Sequence, residues 1–191
     1  MSQIFIINQD FMPDKEPFSV EKNIQNTLEI GELQKRVNTI KRESREEVQR
    51  TVVIIKSDGM EKNITFKVAA MFEEQGLKLV DCYIEMLTEE ILKEHYSHHV
   101  NKSFFPEILQ YMLRAELFII LFEGKGAIAL AREISGSTDP KEALEGTVRA
   151  LYGKSKAENV VHSSENEEAA GDEEKRFFPK KSKMDAIFAC V

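Results

Sequence analysis

The sequence predicts an α/β domain of layered helices and strands behind a polar amino-terminal arm. Three observations carry that prediction. TVVIIK (51–56) and LFIILF (117–122) hold continuous apolar runs, too short for an independent helix and without alternation, so each reads as a strand buried on both faces. The segments between and after them place apolar residues at helical spacing. Gly, Pro, Ser and Asp gather at the junctions, where turns need them.

Residues 1–50 read as the arm. Past Pro13 and Pro17, the stretch VEKNIQNTLEIGELQKRVNTIKRESREEVQR is polar, and Leu33, Val37, Ile40 and Val48 form a thin stripe interrupted at Gly31. Such a stripe cannot build a core alone. The arm is therefore expected to dock on a partner chain, with the domain running from Thr51 to residue 180 and residues 181–191 left as a short tail.

Within the domain, TVVIIK ends at the turn signal Ser57-Asp58-Gly59. MEKNITFKVAAMFEEQG sets Ile64, Val68, Met71 and Phe72 on one helical face and stops at Gly76, a residue suited to close a helix. Val80, Cys82, Ile84 and Met86 alternate with Asp81, Tyr83 and Glu85, predicting a half-buried strand. TEEILKEHYSHHV and FFPEILQYMLRA read as helices, the second with Pro106 in its first turn. LFIILF is the third strand, AIALAREI a helix, NVVHSS a short fourth strand, and the acidic stretch after it a last helix. The order is the βαββαβ of a ferredoxin-like layered sheet with helical insertions.

At 191 residues the chain is long enough for one domain with an appendage. Its net charge of -7 argues against nonspecific nucleic-acid or anionic-membrane binding, so an anionic ligand needs a local positive pocket. Cys82 and Cys190 are too few for a disulfide framework or a metal knuckle and suggest a reducing compartment. MSQIFIINQD lacks the basic start of a secretory signal, and no segment approaches membrane-spanning length. A cytoplasmic protein with neither membrane nor nucleic-acid partner is the expectation.

Several routes to chemistry close. Gly124-Lys125-Gly126 lacks the spacing of a phosphate-cradling P-loop, and no GxSxG elbow offers a serine nucleophile. In the cluster His95, Tyr96, His98, His99, only His95 and His99 are four apart and the glutamate of HExxH is missing, so the cluster reads as a solvated helix end rather than a metal site.

Five stretches remain: IIKSDG (54–59), KEHYSHHVNKSFFPEILQYM (93–112), AREISGSTDP (131–140), GTVRALYG (146–153) and NVVHSS (159–164). On these, the chain from about Thr51 to Phe178 resembles the nucleoside diphosphate kinase family. The resemblance implies transfer of the γ-phosphate of a nucleoside triphosphate to a nucleoside diphosphate through a phosphohistidine. It makes His162 the nucleophile; imidazole suits the task because one ring nitrogen is unprotonated near neutral pH and its phosphoramidate can pass the group on. Glu173 matches the glutamate that orients the imidazole. Lys56, counted with the catalytic set, joins Arg132 and Arg149 as phosphate contacts. Tyr96, Thr138 and Asn159 match polar contacts to phosphate, sugar or catalytic loop. Phe104 matches the base-stacking aromatic, with Ile108 its apolar partner, while one of Phe104 and Phe105 is expected in the core. The implied cofactor is Mg²⁺, held mainly by the nucleotide's phosphates rather than by a protein metal site. Homo-oligomerisation stays open.

The departures matter too. Ser163 stands beside the nucleophile where the family has glycine, which would impair activity if that position needs φ > 0 or close approach of a phosphate. Ser164 and Glu167 form an SxxE capping box, so Ser164 can serve the following helix or the chemistry. Glu158 stands where a basic residue is common. GTVRALYG looks like the divergent eukaryotic branch, some of whose members belong to ciliary and flagellar assemblies. The rival expectation is thus a structural or interaction protein of a ciliary or cytoskeletal assembly, tethered by its arm and weakly active or inactive.

Overall fold

The computed structural model describes residues 20–44 and 48–179, with residues 20–30 described as helical backbone alone. Residues 1–19 of the expected arm, and the 181–191 tail with Cys190, lie outside the described residues. Strands β1 (Val48–Ile55), β2 (Lys78–Glu85), β3 (Leu117–Lys125) and β4 (Val161–Ser163) form one sheet in the order β2-β3-β1-β4, every pair antiparallel. This is the expected ferredoxin-like arrangement, with β1 and β3 central.

The central position explains the unbroken apolar runs. Successive strand residues face opposite sides, and both sides are covered. Val53 and Ile55 of β1, with Ile120 and Phe122 of β3, pack under α3 (Thr65–Glu74) and α6 (Ala127–Ser135). Val52, Ile54, Ile119 and Leu121 pack on the opposite side under α4 (Glu89–His95), α5 (Phe105–Met112) and α8 (Glu167–Phe177). Phe72 and Phe122 stack at 5.4 Å between ring centroids. Each such fully buried side chain contributes about 1.5–3 kcal/mol.

Three local expectations change. The turn after β1 is a one-turn helix, α2 (Ser57–Glu61), and the long helix expected from residue 60 starts at Thr65, because Asn63 breaks the chain with a left-handed φ of 54°. The helix does end at Gly76, with φ 91°. Strand β2 pairs with β3 along one edge and carries a bulge between Leu79 and Asp81, so Val80, Ile84 and Met86 stay exposed instead of lining a half-buried face.

The arm is the third. Helix α1 (Val20–Glu43) lays Leu33, Val37 and Ile40 against the core containing α6, and Val37 is 0% exposed. The surface sought in a partner is thus supplied by the chain itself, while Val48, the last residue of the expected stripe, is exposed. β1 begins at Val48, ahead of the boundary read at residue 50; Arg50 bonds Glu123 at 3.2 Å and Glu174 at 2.9 Å. No helix among the described residues is long and apolar enough to cross a membrane.

Candidate active site

His162 is the middle residue of β4, opposite Ile54 of β1. Alternation along the strand sends Val161 and Ser163 into the layer beneath α6 and leaves His162 half-buried on the other side. Ser163 is buried, and its Oγ lies 3.2 Å from Ser135 Oγ. Among the described residues the positive-φ positions without glycine are Asn63 and Val160, so Ser163 has no strained backbone. The expected penalty for a side chain beside the nucleophile does not arise from backbone conformation; the hydroxyl has its own niche.

The strain sits three residues before Ser163. Val160 has φ 69°, a conformation rare for a β-branched residue. Asp58 Oδ2 accepts its N–H at 3.1 Å, and its carbonyl accepts from Lys56 N–H at 2.7 Å. Asp58 also accepts from the Tyr111 hydroxyl. Gly59 allows this close approach, since a Cβ there would meet Ile55 Cγ2 at 2.6 Å and Val160 Cγ1 at 3.1 Å. The Ser57-Asp58-Gly59 signal therefore fastens the loop before β4, a role that turn propensity alone does not indicate.

Glu173 occupies the buried face of α8 and accepts from His162 Nε2 at 2.9 Å. Ser164 donates to its other oxygen at 2.7 Å and accepts from Val52 N–H at 3.0 Å. The capping-box reading of Ser164 is thus overturned: Asn166 caps α8, its Oδ1 accepting from Ala169 N–H at 2.9 Å. Asn166 begins the helix two residues later, freeing Ser164 for the carboxylate.

The predicted residues divide into two groups. His162, Glu173, Tyr96, Arg132, Thr138 and Arg149 line one cleft of about 730 Å³. Arg149, on α7 (Val148–Tyr152), donates to the carbonyls of Gly136 at 2.6 Å and Val161 at 2.9 Å, and burial followed by the charge of Arg132 pushes its pKa down to about 10. Arg132 is exposed, and neither arginine has an ion-pair partner among the described residues. Burial also raises the Tyr96 phenol above its ordinary range.

Lys56 and Asn159 meet each other behind this cleft. Lys56 Nζ donates to Asn159 Oδ1 and to the Ala157 carbonyl at 3.1 Å, and Asn159 Nδ2 donates to the carbonyls of Thr138 and Lys156, both at 3.0 Å. Phe104 is 45% exposed before α5, its ring 5.3 Å from that of His99, whereas Phe105 is in the core. Ile108 packs against the apolar layer under α5 rather than in the cleft. Glu158 does not line the cleft: it pairs with Arg114 at 3.3 Å and Lys154 at 3.4 Å, and the Arg114 bond chiefly holds its carboxyl below the ordinary range.

His95 corrects the reading of its cluster as a solvated helix end. Its side chain is 2% exposed, its ring lies 4.6 Å from that of His162, and its Nδ1 is 3.7 Å from Glu173 Oε1. Burial, then the charge of His162, keeps its pKa well below 6.5. Spacing rules for metal helices missed it because its neighbours come from β4 and α8.

The family profile described as nucleoside diphosphate kinase matches residues 49–183. A nucleoside diphosphate kinase of Sulfurisphaera tokodaii is 39% identical over 131 residues, covering 69% of this chain and 89% of the relative. One from Bacillus licheniformis is 36% identical over 131 residues, covering 69% and 88%. The crystal structure of the Aquifex aeolicus nucleoside diphosphate kinase superposes with a TM-score of 0.68 at 32% identity, covering 70% of this chain and 97% of that one. With most of each relative's length matched on a common fold and with one sheet presenting a carboxylate-held histidine to a cleft that Arg132 and Arg149 line, the chain belongs to the nucleoside diphosphate kinase family.

Proposed function

We propose that this protein transfers the γ-phosphate of a nucleoside triphosphate to a nucleoside diphosphate through a phosphohistidine on His162. The 2.9 Å contact between His162 Nε2 and Glu173 Oε1 carries the reading. A carboxylate beside Nε2 favours the tautomer that bears its proton there, which leaves Nδ1 with the lone pair. In the first half-reaction Nδ1 attacks the γ-phosphorus, the N–P bond forms, and the bond to the bridging oxygen breaks with the diphosphate leaving. The second half-reaction runs the same steps backwards onto a new diphosphate. Glu173 supports the positive charge that the ring acquires, and Ser164 fixes the carboxylate.

Arg132 and Arg149 face the cleft without anionic partners, as a site for phosphate requires, since such transfer depends on position and positive charge. Lys56 and Asn159 brace the wall below Thr138 and reach phosphate only if Lys56 leaves its present acceptors. Phe104, exposed beside His99, offers a ring face to the base. The exposed carboxylates of Glu165, Glu168 and Asp172 on the same cleft suit a hard cation that takes oxygen ligands, and Mg²⁺ would be held chiefly by the nucleotide's phosphates. When bound it neutralises phosphate charge.

Among the described residues no strand pairs with the outer edge of β2, and this edge, with exposed Val80, Ile84 and Met86, favours self-association by pairing with a second copy. A partner for the arm would meet the outward face of α1, because Leu33, Val37 and Ile40 are already covered.

Incubation with γ-labelled ATP and Mg²⁺ tests the chemistry. An acid-labile, base-stable label should form on the protein and move to added nucleoside diphosphate. A label retained by His162→Ala would reject His162 as the nucleophile.

A further inference from the structure

We propose that His95, His162 and Glu173 form a binding site for a borderline transition-metal ion, with Zn²⁺ as its natural type, and that occupation of this site switches the phosphotransfer off. The inhibitory part rests on the reading of His162 as nucleophile; the metal site itself does not.

The donor atoms of the three side chains lie within 4.8 Å of one another. Two of the separations are 2.9 Å, from His162 Nε2 to Glu173 Oε1, and 3.7 Å, from His95 Nδ1 to the same oxygen. A tetrahedral ion with bonds of about 2.0–2.1 Å separates its ligands by roughly 3.3 Å, so small rotations of the rings suffice. Two imidazoles and one glutamate are a set that zinc accepts while keeping a fourth position for water or another ligand. Here that position opens towards the cleft, which all three residues line.

The second observation is His95 itself. Both of its ring nitrogens are buried and neither has a hydrogen-bond partner, although buried polar atoms ordinarily find one. An ion beside Nδ1 satisfies one of them. The carboxylates of Glu165, Glu168 and Asp172 on the same cleft draw in a divalent cation; of the three arginines that oppose it there, Arg176 is paired with Glu94 at 2.9 Å, while Arg132 and Arg149 stay available to phosphate.

The consequence follows from the imidazole's two nitrogens. An ion bound to His162 Nε2 takes that nitrogen's lone pair, so the ring's remaining proton must sit on Nδ1. The nitrogen that attacks phosphorus is then protonated, and Glu173 has exchanged its contact with Nε2 for the metal. Metal and phosphoryl group thus exclude each other.

The experiment uses the full-length protein and two ions. Zn²⁺ binding is measured calorimetrically, and Co²⁺ binding by the visible absorption of a tetrahedral site. One ion should bind per chain. His95→Asn and His95→Gln should each weaken Zn²⁺ by more than the roughly 10–100-fold that even an outer-shell partner is worth. The double variant His98→Ala/His99→Ala should leave binding unchanged, which separates this site from the neighbouring pair whose rings lie 3.9 Å apart. Zn²⁺ should also block phosphohistidine formation from ATP and Mg²⁺. Undiminished binding in both folded His95 variants, or loss of binding in the double variant, overturns the site. A tetrahedral Co²⁺ spectrum without inhibition overturns the switch. If no phosphoenzyme forms even without Zn²⁺, the kinase reading fails while the Co²⁺ spectrum still decides the site.

Discussion

Replacing Lys56 with methionine should remove a pH-dependent part of the protein's stability. Lys56 closes β1 at 7% exposure, its ammonium held by an amide oxygen and a backbone carbonyl. Burial pushes its pKa down to about 7, with Asp58 opposing and Arg149 adding to the effect. In the unfolded chain the same amine titrates near its ordinary 10.5. Between these values the unfolded chain holds a proton that the folded protein has released, so the free energy of unfolding rises with pH through that window. The contribution is complete above 10.5 and is lost as pH falls through 7. At 1.36 kcal/mol per pH unit the full swing is on the order of 5 kcal/mol. Methionine keeps an unbranched stem of similar volume and carries no proton to titrate. Urea denaturation suits the measurement, because an ionic denaturant would screen the effect. The tyrosines with raised pKa occur in both proteins, so the difference between wild type and Lys56→Met isolates the amine. That difference should grow in favour of wild type as pH rises from 7. Nucleotide phosphate approaching Lys56 would recharge it, so binding above pH 7 should take up a proton, seen as a calorimetric enthalpy that depends on the buffer's ionisation heat. Parallel stability profiles for the two proteins would refute the reasoning, since they would mean that Lys56 titrates alike folded and unfolded.

Two further substitutions probe the supports of the site. Ser164→Ala takes the donor from Glu173 and the acceptor from Val52 N–H, so stability in urea should fall by about 1–3 kcal/mol and phosphotransfer should slow; an unchanged rate would mean that Glu173 holds its place without the hydroxyl. Val37→Ala removes two methyl groups from a fully buried position between α1 and α6, which should cost about 2 kcal/mol in the same assay. Equal stability would show that α1 does not rest on α6 in solution.

Residue pattern alone determined the strands and the order of the elements, not how the strands pair. The unbroken runs of β1 and β3 have one physical reading, burial on both faces, and the helical spacing between them leaves little choice of element order. The resemblance carried by five motifs implied His162, Arg132, Arg149, Thr138, Tyr96 and Glu173, which the fold gathers around one cleft. What it could not determine depends on surfaces and on distant partners. The stripe of Leu33, Val37 and Ile40 must be covered, but only the packed α6 decides that the cover comes from the same chain. The alternation of Val80, Ile84 and Met86 signals a strand without telling an edge from an interior, and the bulge of β2 leaves them in solvent. The resemblance makes Lys56 a phosphate contact and Asn159 a contact to phosphate, sugar or catalytic loop, and only the tertiary structure shows them bonded to one another and to the carbonyls of Ala157, Thr138 and Lys156. Ser164 looked like a cap because capping is a local rule, whereas its bond to Glu173 exists only once α8 folds back across β4. His95 is the clearest case: nothing within a few residues of it marks a buried ring, and its neighbours His162 and Glu173 lie far along the chain. Local rules read periods and turns, and the contacts that give His95 its place form only when the tertiary structure closes.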